Sequence, residues 1–337
     1  MSGENVKRTI ALALNRRTLG ADQGQTDYGK TTKYVTRLLN GLGWKTVPFE
    51  VGLNLRQAQE QLREIKPEVV FNLVDAFMES GEMAPFMTML FSNLRLPFTG
   101  VDSTVFSLVN DKLTTKWHLL QAGIPTPQGA DITALRKNRY PGPGTYILKS
   151  RFDHTSKGLD ESAIVTVSNS SDLLDLLEAQ EEKVGMLCIA DEFINGPEYS
   201  VSMMESSRGR GQLLGIAEAA FKTPDVRIVN YGTLWKSSRG ATTSAPTISL
   251  KKPADHITAK LTTLSHDCWN ELGLCGYARF VFRTDQSGKM YLIDVVTNPS
   301  LAEKGAFLNT ARLNDWPPED VVSAIAEGAI ARHTANI

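Results

Sequence analysis

NDKLTTKWHLLQAGIPTP, residues 110–127, divides this chain. Its apolar spacing predicts a helix over residues 111–122 that starts close to Lys112 and halts at Gly123. Pro125 and Pro127 follow, and a residue before proline is pushed out of the helical region. We read the stretch as a boundary. An alternating α/β region lies before it and a mixed region after it.

Upstream, strand and helix signals alternate. Residues 9–14 predict a buried strand, 28–42 a helix stopped by Gly43, and 45–49 a second strand. Residues 55–65 predict a helix ended by Pro67, and 68–73 a third strand. Residues 83–94 are helical again, and Pro97 opens a short strand ending at Gly100. This alternation implies an open parallel sheet with helices on both faces. Downstream, the loop RYPGPG (139–144) precedes a strand at 145–149 and a helix at 172–179. Residues 186–193 and 198–204 look like paired strands around Asn195-Gly196-Pro197. A helix is expected at 254–272. Strands at 277–283 and 290–295 should form a hairpin across Ser287-Gly288, before a last helix at 319–333. No internal repeat or low-complexity segment is evident.

The 337 residues, 42% hydrophobic and 22% charged, suffice for two or three small domains sharing interfaces. A net charge of -1 leaves no basic surplus for a nucleic-acid backbone, so no nucleic-acid partner is expected. Cys188, Cys268 and Cys275 are odd in number and lack CxxC spacing, against a disulfide framework or structural zinc. The first apolar stretch is short and runs at once into Arg16 and Arg17, unlike a secretory signal. No apolar run approaches membrane-spanning length. The expectation is a reduced, cytoplasmic protein without membrane contact.

Four segments suggest chemistry. Lys149 precedes the polar, Gly-terminated loop that ends at Gly158. An ammonium beside such a loop suits phosphate, although a lysine at a strand end is more often simply solvated. Asp191 and Glu192, with Glu198 past a proline-containing turn, could accept hydrogen bonds from an amino or hydroxyl ligand; an exposed edge strand would explain them as well. Arg279 interrupts an apolar strand, where a charge must be paired or functional. Asp294 and Asn298 end a strand just before Pro299, a place suited to ligand binding.

Together these segments resemble the ATP-grasp superfamily, and most closely its D-alanine–D-alanine ligases. The resemblance is ordered along nearly the whole chain. It runs from VFNLVDAF (70–77) and LPFTGVDS (96–103) through NDKLTTKWHLLQAGIPTP (110–127) and YILKS with DHTSKGL. It continues through ADEFINGPEYSV (190–201) to GYARFVFRTDQSGKMYLIDVVTNPS (276–300). The lysine that opens a helix ending in AGIPTP is its most specific piece. The resemblance implies α/β and α+β architecture: an N-terminal parallel-sheet domain (1–105), a small central lid domain (106–195) and a C-terminal ATP-grasp domain (196–337). ATP or ADP would lie between the last two. Lys112 and Lys149 would contact its phosphates, and Asp191 the adenine amino group. The backbone from Glu192 to Ile194 would complete the adenine edge, and Glu198 would hold the ribose. Arg279 would be catalytic, stabilising charge near an acyl phosphate.

Several positions depart from the family pattern. Its magnesium is held by an Asp two residues after the arginine and by a Glu-x-Asn group. Here those positions are Val281, Asp294 and Val296. Valine offers no oxygen, so Mg2+ is in doubt, with Asp294 and Asn298 as weak metal candidates and Asp285 as a further one. The family's lysine before a tryptophan falls on Leu234, with Lys236 nearby. The acceptor-site serine falls on Gly305 or Ala306, near Lys304. The first loop lacks the family's Gly-rich, Glu-bearing form. The expectation is a nucleotide-binding, catalytically impaired, auxiliary protein, as a homodimer or with a paralogous ATP-grasp partner. The alternative is an active amino-acid or dipeptide ligase with a rearranged metal site. Trp117, Trp235 and Trp269 are expected in cores, and Met78, Met83, Met87 and Met89 in the packing of the first domain. His154, His256 and His266 are expected to be solvated or half-buried.

Overall fold

A computed structural model describes residues 8–15, 24–52, 54–77, 80–154, 159–221, 228 and 248–335. In the first region β1 (Thr9–Asn15), β2 (Lys45–Val51) and β3 (Val69–Asn72) form a parallel sheet in the order β2-β1-β3. Helices α1 (Gly24–Gly41) and α2 (Leu55–Ile65) connect its strands. α2 starts where the Asn54 side chain accepts from Gln57 N, and ends on left-handed Lys66 just before Pro67. The strand expected after Pro97 is reduced to a single bridge between Val70 and Phe98. α3 is Pro85–Asn93. Met87 is buried, but Phe86 and Met89, three residues apart on the opposite side of this helix, are exposed, so Met89 does not pack the first core as expected.

Two further helices meet at residue 111. Asp102 caps α4 (Ser103–Asn110), which the sequence pattern did not separate from its surroundings, and Asp111 caps α5 (Lys112–Gln121). α5 buries Lys112, Thr115, Lys116 and Leu119, a spacing that makes one face. Trp117 lies off that face and is 51% exposed, against its expected place in a core.

Strands β4 (Gly129–Ala130), β5 (Gly144–Ser150), β6 (Ile164–Val167) and β7 (Cys188–Glu192) form an antiparallel sheet in the order β4-β7-β5-β6. Helices α6 (Ile132–Arg136) and α7 (Ser170–Val184) cover one of its faces, closing a core of Tyr146, Leu148, Leu173, Leu177, Cys188 and Ala190. A second antiparallel sheet contains β8 (Glu198–Glu205), β9 (Gly211–Phe221), β10 (Ile248–Lys251), β11 (Tyr277–Thr284) and β12 (Met290–Val296), in the order β10-β9-β8-β11-β12. Its outer face packs Tyr199, Val201, Phe280 and Phe282 against α4 and against Leu261 and Trp269 of α8 (Asp255–Glu271).

This topology corrects the expected pairing of residues 186–193 with 198–204. Both edges of β7 are taken by β4 and β5, and both edges of β8 by β9 and β11. Asn195-Gly196-Pro197 is therefore a crossover between sheets. Gly196 is needed there because a Cβ would stand 1.9 Å from Thr284 O. The Ile189 and Tyr199 strands accordingly lie in different sheets. The hairpin of β11 and β12 is as expected, with Gly288 at φ 81°.

The C-terminal helices α9 (Ala306–Leu313) and α10 (Pro318–Ala335) return to the first sheet. Phe307, Leu308, Val321, Val322 and Ile325 share a core with Ile10, Leu12, Val35, Leu39 and Phe71. Arg332 on α10 donates to Phe98 O and Gly100 O, so the end of the chain ties the first region to the rest. Among the described residues, no helix is long and apolar enough to cross a membrane.

Candidate functional site

The two antiparallel sheets turn their uncovered faces toward each other. On β11, alternation puts Phe280 and Phe282 in the outer core and Arg279, Val281 and Arg283 on the inner face. Register places Glu198 opposite Arg283, Ser200 opposite Val281 and Ser202 opposite Arg279. On the other edge of β11, Asp294 pairs with Val281 and Val296 with Arg279. In the smaller sheet, Leu148 and Ala190 enter the core beneath α6 and α7, which leaves Lys149 and Asp191 on the inner face. Lys149 Nζ spans the cleft and donates to Ile293 O of β12 at 3.0 Å.

The motif at residues 110–116 builds one wall. The Asn110 amide donates to Gly81 O, and the Asp111 carboxylate caps α5 while taking a two-pronged ion pair from Arg151. This fixes the first turn of α5, so Lys112 and Lys116, four residues apart, project together into the cleft. Lys112 Nζ donates to Asp153 O at 2.7 Å. Lys116 Nζ donates to Pro127 O and lies 3.0 Å from Asp191 Oδ2; Lys149 Nζ lies 2.8 Å from the same oxygen. These are ion pairs by distance, while neither Asp191 oxygen has a well-directed hydrogen-bond partner among the described residues. Gly129 leaves room for the carboxylate, since a Cβ would stand 2.4 Å from Oδ1.

Burial lowers the pKa of Lys112, with Asp294 partly offsetting it, and pushes Lys116 down to about 8 despite Asp191. Burial also opposes charge on Lys149, but Asp191 and Asp294 outweigh it and its pKa is raised. Arg279 is lowered by burial against the pull of Asp294 and Glu198. Burial alone would raise Asp294, yet His154, Lys112 and Lys149 hold it well below the usual carboxylate range.

At the hinge, Glu192 N donates to Gln128 O and Phe193 N to Thr145 O. Ile194 is buried, and its N–H finds no hydrogen-bond partner among the described residues. Such a group is costly to leave unmet. The Glu192 side chain points to solvent, so only its backbone belongs to this edge. Glu198 is bound by Arg283: Nε and Nη2 donate to Oε2 at 3.0 and 2.8 Å.

The structure thus gathers Lys112, Lys149, Asp191, the Glu192–Ile194 backbone, Glu198, Arg279 and Asp294 around one cleft. Asn298 is held apart from it: its Oδ1 accepts from Tyr277 Oη, and its Nδ2 donates to Val74 O. Asp285 caps the exposed hairpin through Ser287 and Lys289. His154, expected among the solvated histidines, places Nδ1 3.1 Å from Asp294 Oδ1. No group of three or more His, Cys, Asp or Glu residues able to hold a metal stands among the described residues. Gly305 opens α9 without a side-chain cap. Residues 155–158 and the stretch holding Tyr231, Leu234, Trp235 and Lys236 lie outside the described residues. Lys116 and Arg283 were not singled out from sequence. Each sits four residues beyond a candidate, Lys116 after Lys112 on a helix and Arg283 after Arg279 on a strand, and that spacing returns a side chain to the same face in both structures.

The opposed antiparallel sheets, with a lysine-lined cleft between them, define an ATP-grasp fold. The structure of the Bacillus anthracis D-alanine–D-alanine ligase complexed with ATP shares it, with a TM-score of 0.71 at 15% identity, over 98% of this chain and 99% of that one. Residues 161–327 match the family described as D-ala D-ala ligase C-terminus. The D-alanine–D-alanine ligase of Moorella thermoacetica is 24% identical over 317 residues, spanning 89% of this chain and 94% of the relative. That of Aquifex aeolicus is 24% identical over 282 residues, spanning 81% and 86%. The family match, these relatives and the shared fold all support a likeness to the ATP-grasp D-alanine–D-alanine ligases.

Proposed function

We propose that the cleft binds ADP or ATP with its own cations in place of magnesium, and that the chain is a non-catalytic or auxiliary member of its family. Adenine has its partners in the Ile194 N–H and the Asp191 carboxylate, the two hinge groups that the described residues leave without a directed hydrogen bond. Lys112 and Lys149 face the phosphates, and Arg279 lies toward the reacting end. Glu198 lies at the sugar. Magnesium does not fit this donor set. The observation that carries the reading is the pairing of Val281 with Asp294, beside buried Val296, while His154 takes up the Asp294 carboxylate. One carboxylate already paired to an imidazole, between two valines, is a poor ligand set for a hard divalent cation.

Within this reading the residues can bind and orient a nucleotide and offset its charge. They lack the metal that would gather charge on a transferring phosphoryl group, and that electrostatic help is the main component of such catalysis. The test is phosphate release by the purified chain, given ATP, magnesium and mixtures of amino acids or dipeptides. The expected result is no release above the rate without acceptor. Sustained acceptor-dependent release would establish a working ligase and overturn the proposal.

A further inference from the structure

Arg283 faces Glu198 directly across the β8–β11 ladder. Two of its nitrogens converge on the single oxygen Oε2, and Nη1 donates to Ile194 O at 3.2 Å. The guanidinium carbon also lies 5.4 Å from the centre of the Phe193 ring. The Arg283 and Glu198 side chains are only 4% and 11% exposed. The arginine is therefore held by a cross-strand carboxylate, a hinge carbonyl and an aromatic ring together. Its planar fork matches a carboxylate in a way that a lysine would not.

We propose that Arg283 sets the sugar selectivity of the cleft, making it nearly indifferent to the hydroxyl groups of a nucleotide's ribose. The inference rests on the reading that a nucleotide enters this cleft with its sugar at Glu198. A vicinal diol is clamped by a carboxylate when each hydroxyl donates to one oxygen. Here Oε2 already accepts two bonds from a cation, and a charge-assisted bond is stronger than one from a neutral hydroxyl. The described residues give Oε1 no hydrogen bond, so it can serve one hydroxyl, but the two-oxygen clamp is lost. The guanidinium also balances the charge that would draw hydroxyl protons. Recognition then falls to the base at the hinge and to the phosphates at Lys112 and Lys149.

The test is calorimetric titration of the full chain with ADP and with 2′,3′-dideoxy-ADP, repeated on Arg283→Met. The wild-type chain is expected to bind both nucleotides with dissociation constants within about threefold of each other. Arg283→Met frees both oxygens of Glu198, and is expected to prefer ADP by about tenfold or more, the scale of a hydrogen bond to a charged group. Removing Arg283 leaves a buried, uncompensated carboxylate, so folding of the variant is checked by thermal unfolding. If the variant does not fold, the wild-type ratio alone decides. A wild-type preference for ADP of tenfold or more overturns the role of Arg283 and leaves nucleotide binding standing. No binding of either nucleotide to either protein at millimolar concentration overturns the nucleotide reading, and this inference with it.

Discussion

At the hinge end of the cleft, Asp191 lies between Lys116 and Lys149, and Glu198 lies against Arg283. Two residues back along β11 from Arg283, Val281 stands opposite Ser200 on one side and Asp294 on the other, and Val296 lies opposite Arg279. The inner face of the larger sheet thus carries an enclosed ion pair at one end and valines at the other, and the smaller sheet and α5 add the Asp191 pairs at the hinge end. Buried charges need partners or they are not tolerated, and at the hinge the protein supplies them from within. Beside Val281 and Val296 the facing strands bring only the Ser200 hydroxyl and the Asp294 carboxylate, and that carboxylate has taken His154. On the proposed nucleotide reading, a ligand's negative charge would meet fixed ammonium and guanidinium groups in this cleft. They outnumber the carboxylates Asp191, Glu198 and Asp294.

The largest expected effect comes from unpairing the hinge end. Asp191→Ala leaves two buried ammonium groups without their shared anion, and should cost about 3–5 kcal/mol of stability. Val281→Ala, at the apolar end, removes only part of a side chain and should cost about 2 kcal/mol or less. Urea denaturation of both variants at pH 7 tests the ranking. A smaller loss for Asp191→Ala than for Val281→Ala would break the comparison.

A second experiment converts the apolar end into the pattern it departs from. Val281→Asp, Asp294→Glu and Val296→Asn together should make ADP affinity depend on magnesium by about tenfold or more, because they supply the missing oxygen ligands. With Leu234→Lys added, ATP hydrolysis should become detectable. Each single change should do little, since groups that act as a unit give non-additive effects.

The smallest effect is a pH dependence. Lys116 is pushed down to about 8, whereas an unfolded lysine titrates near 10.5. Between these values the unfolded chain keeps a proton that the folded chain releases, so this group makes stability rise with pH across that window. Below about pH 8 both states hold the proton, and the cost of burying the charge is fully present. Comparing urea midpoints at pH 7.5 and 9.5 should show a rise in the wild-type chain that Lys116→Met lacks.

Much of this was legible in the sequence because its signals are local. The helix opened by Lys112 is announced by its apolar spacing, its glycine stop and its prolines, and the β11–β12 hairpin by its turn. β8 was harder. Its partners β9 and β11 lie on one strand nearby and another more distant, and no short-range pattern distinguishes a crossover at Asn195-Gly196-Pro197 from a hairpin turn. β9 and the short β10 carry little alternation of their own and are ordered by neighbours. Among candidate site residues, Arg279 stood out because apolar residues surround it. Arg283 sits at the end of the predicted strand, where an arginine is unremarkable until Glu198 is found across the ladder. His154 likewise had no sequence neighbour to mark it, since Asp294 lies 140 residues away.

The central claim is that this cleft holds a nucleotide through its own cations. Calorimetric titration of the wild-type chain with ADP, in the presence of magnesium and again with a chelator, tests it most directly. The account predicts binding in both conditions, with dissociation constants within about threefold. Binding that appears only with magnesium, or tightens by tenfold or more when it is added, would contradict it.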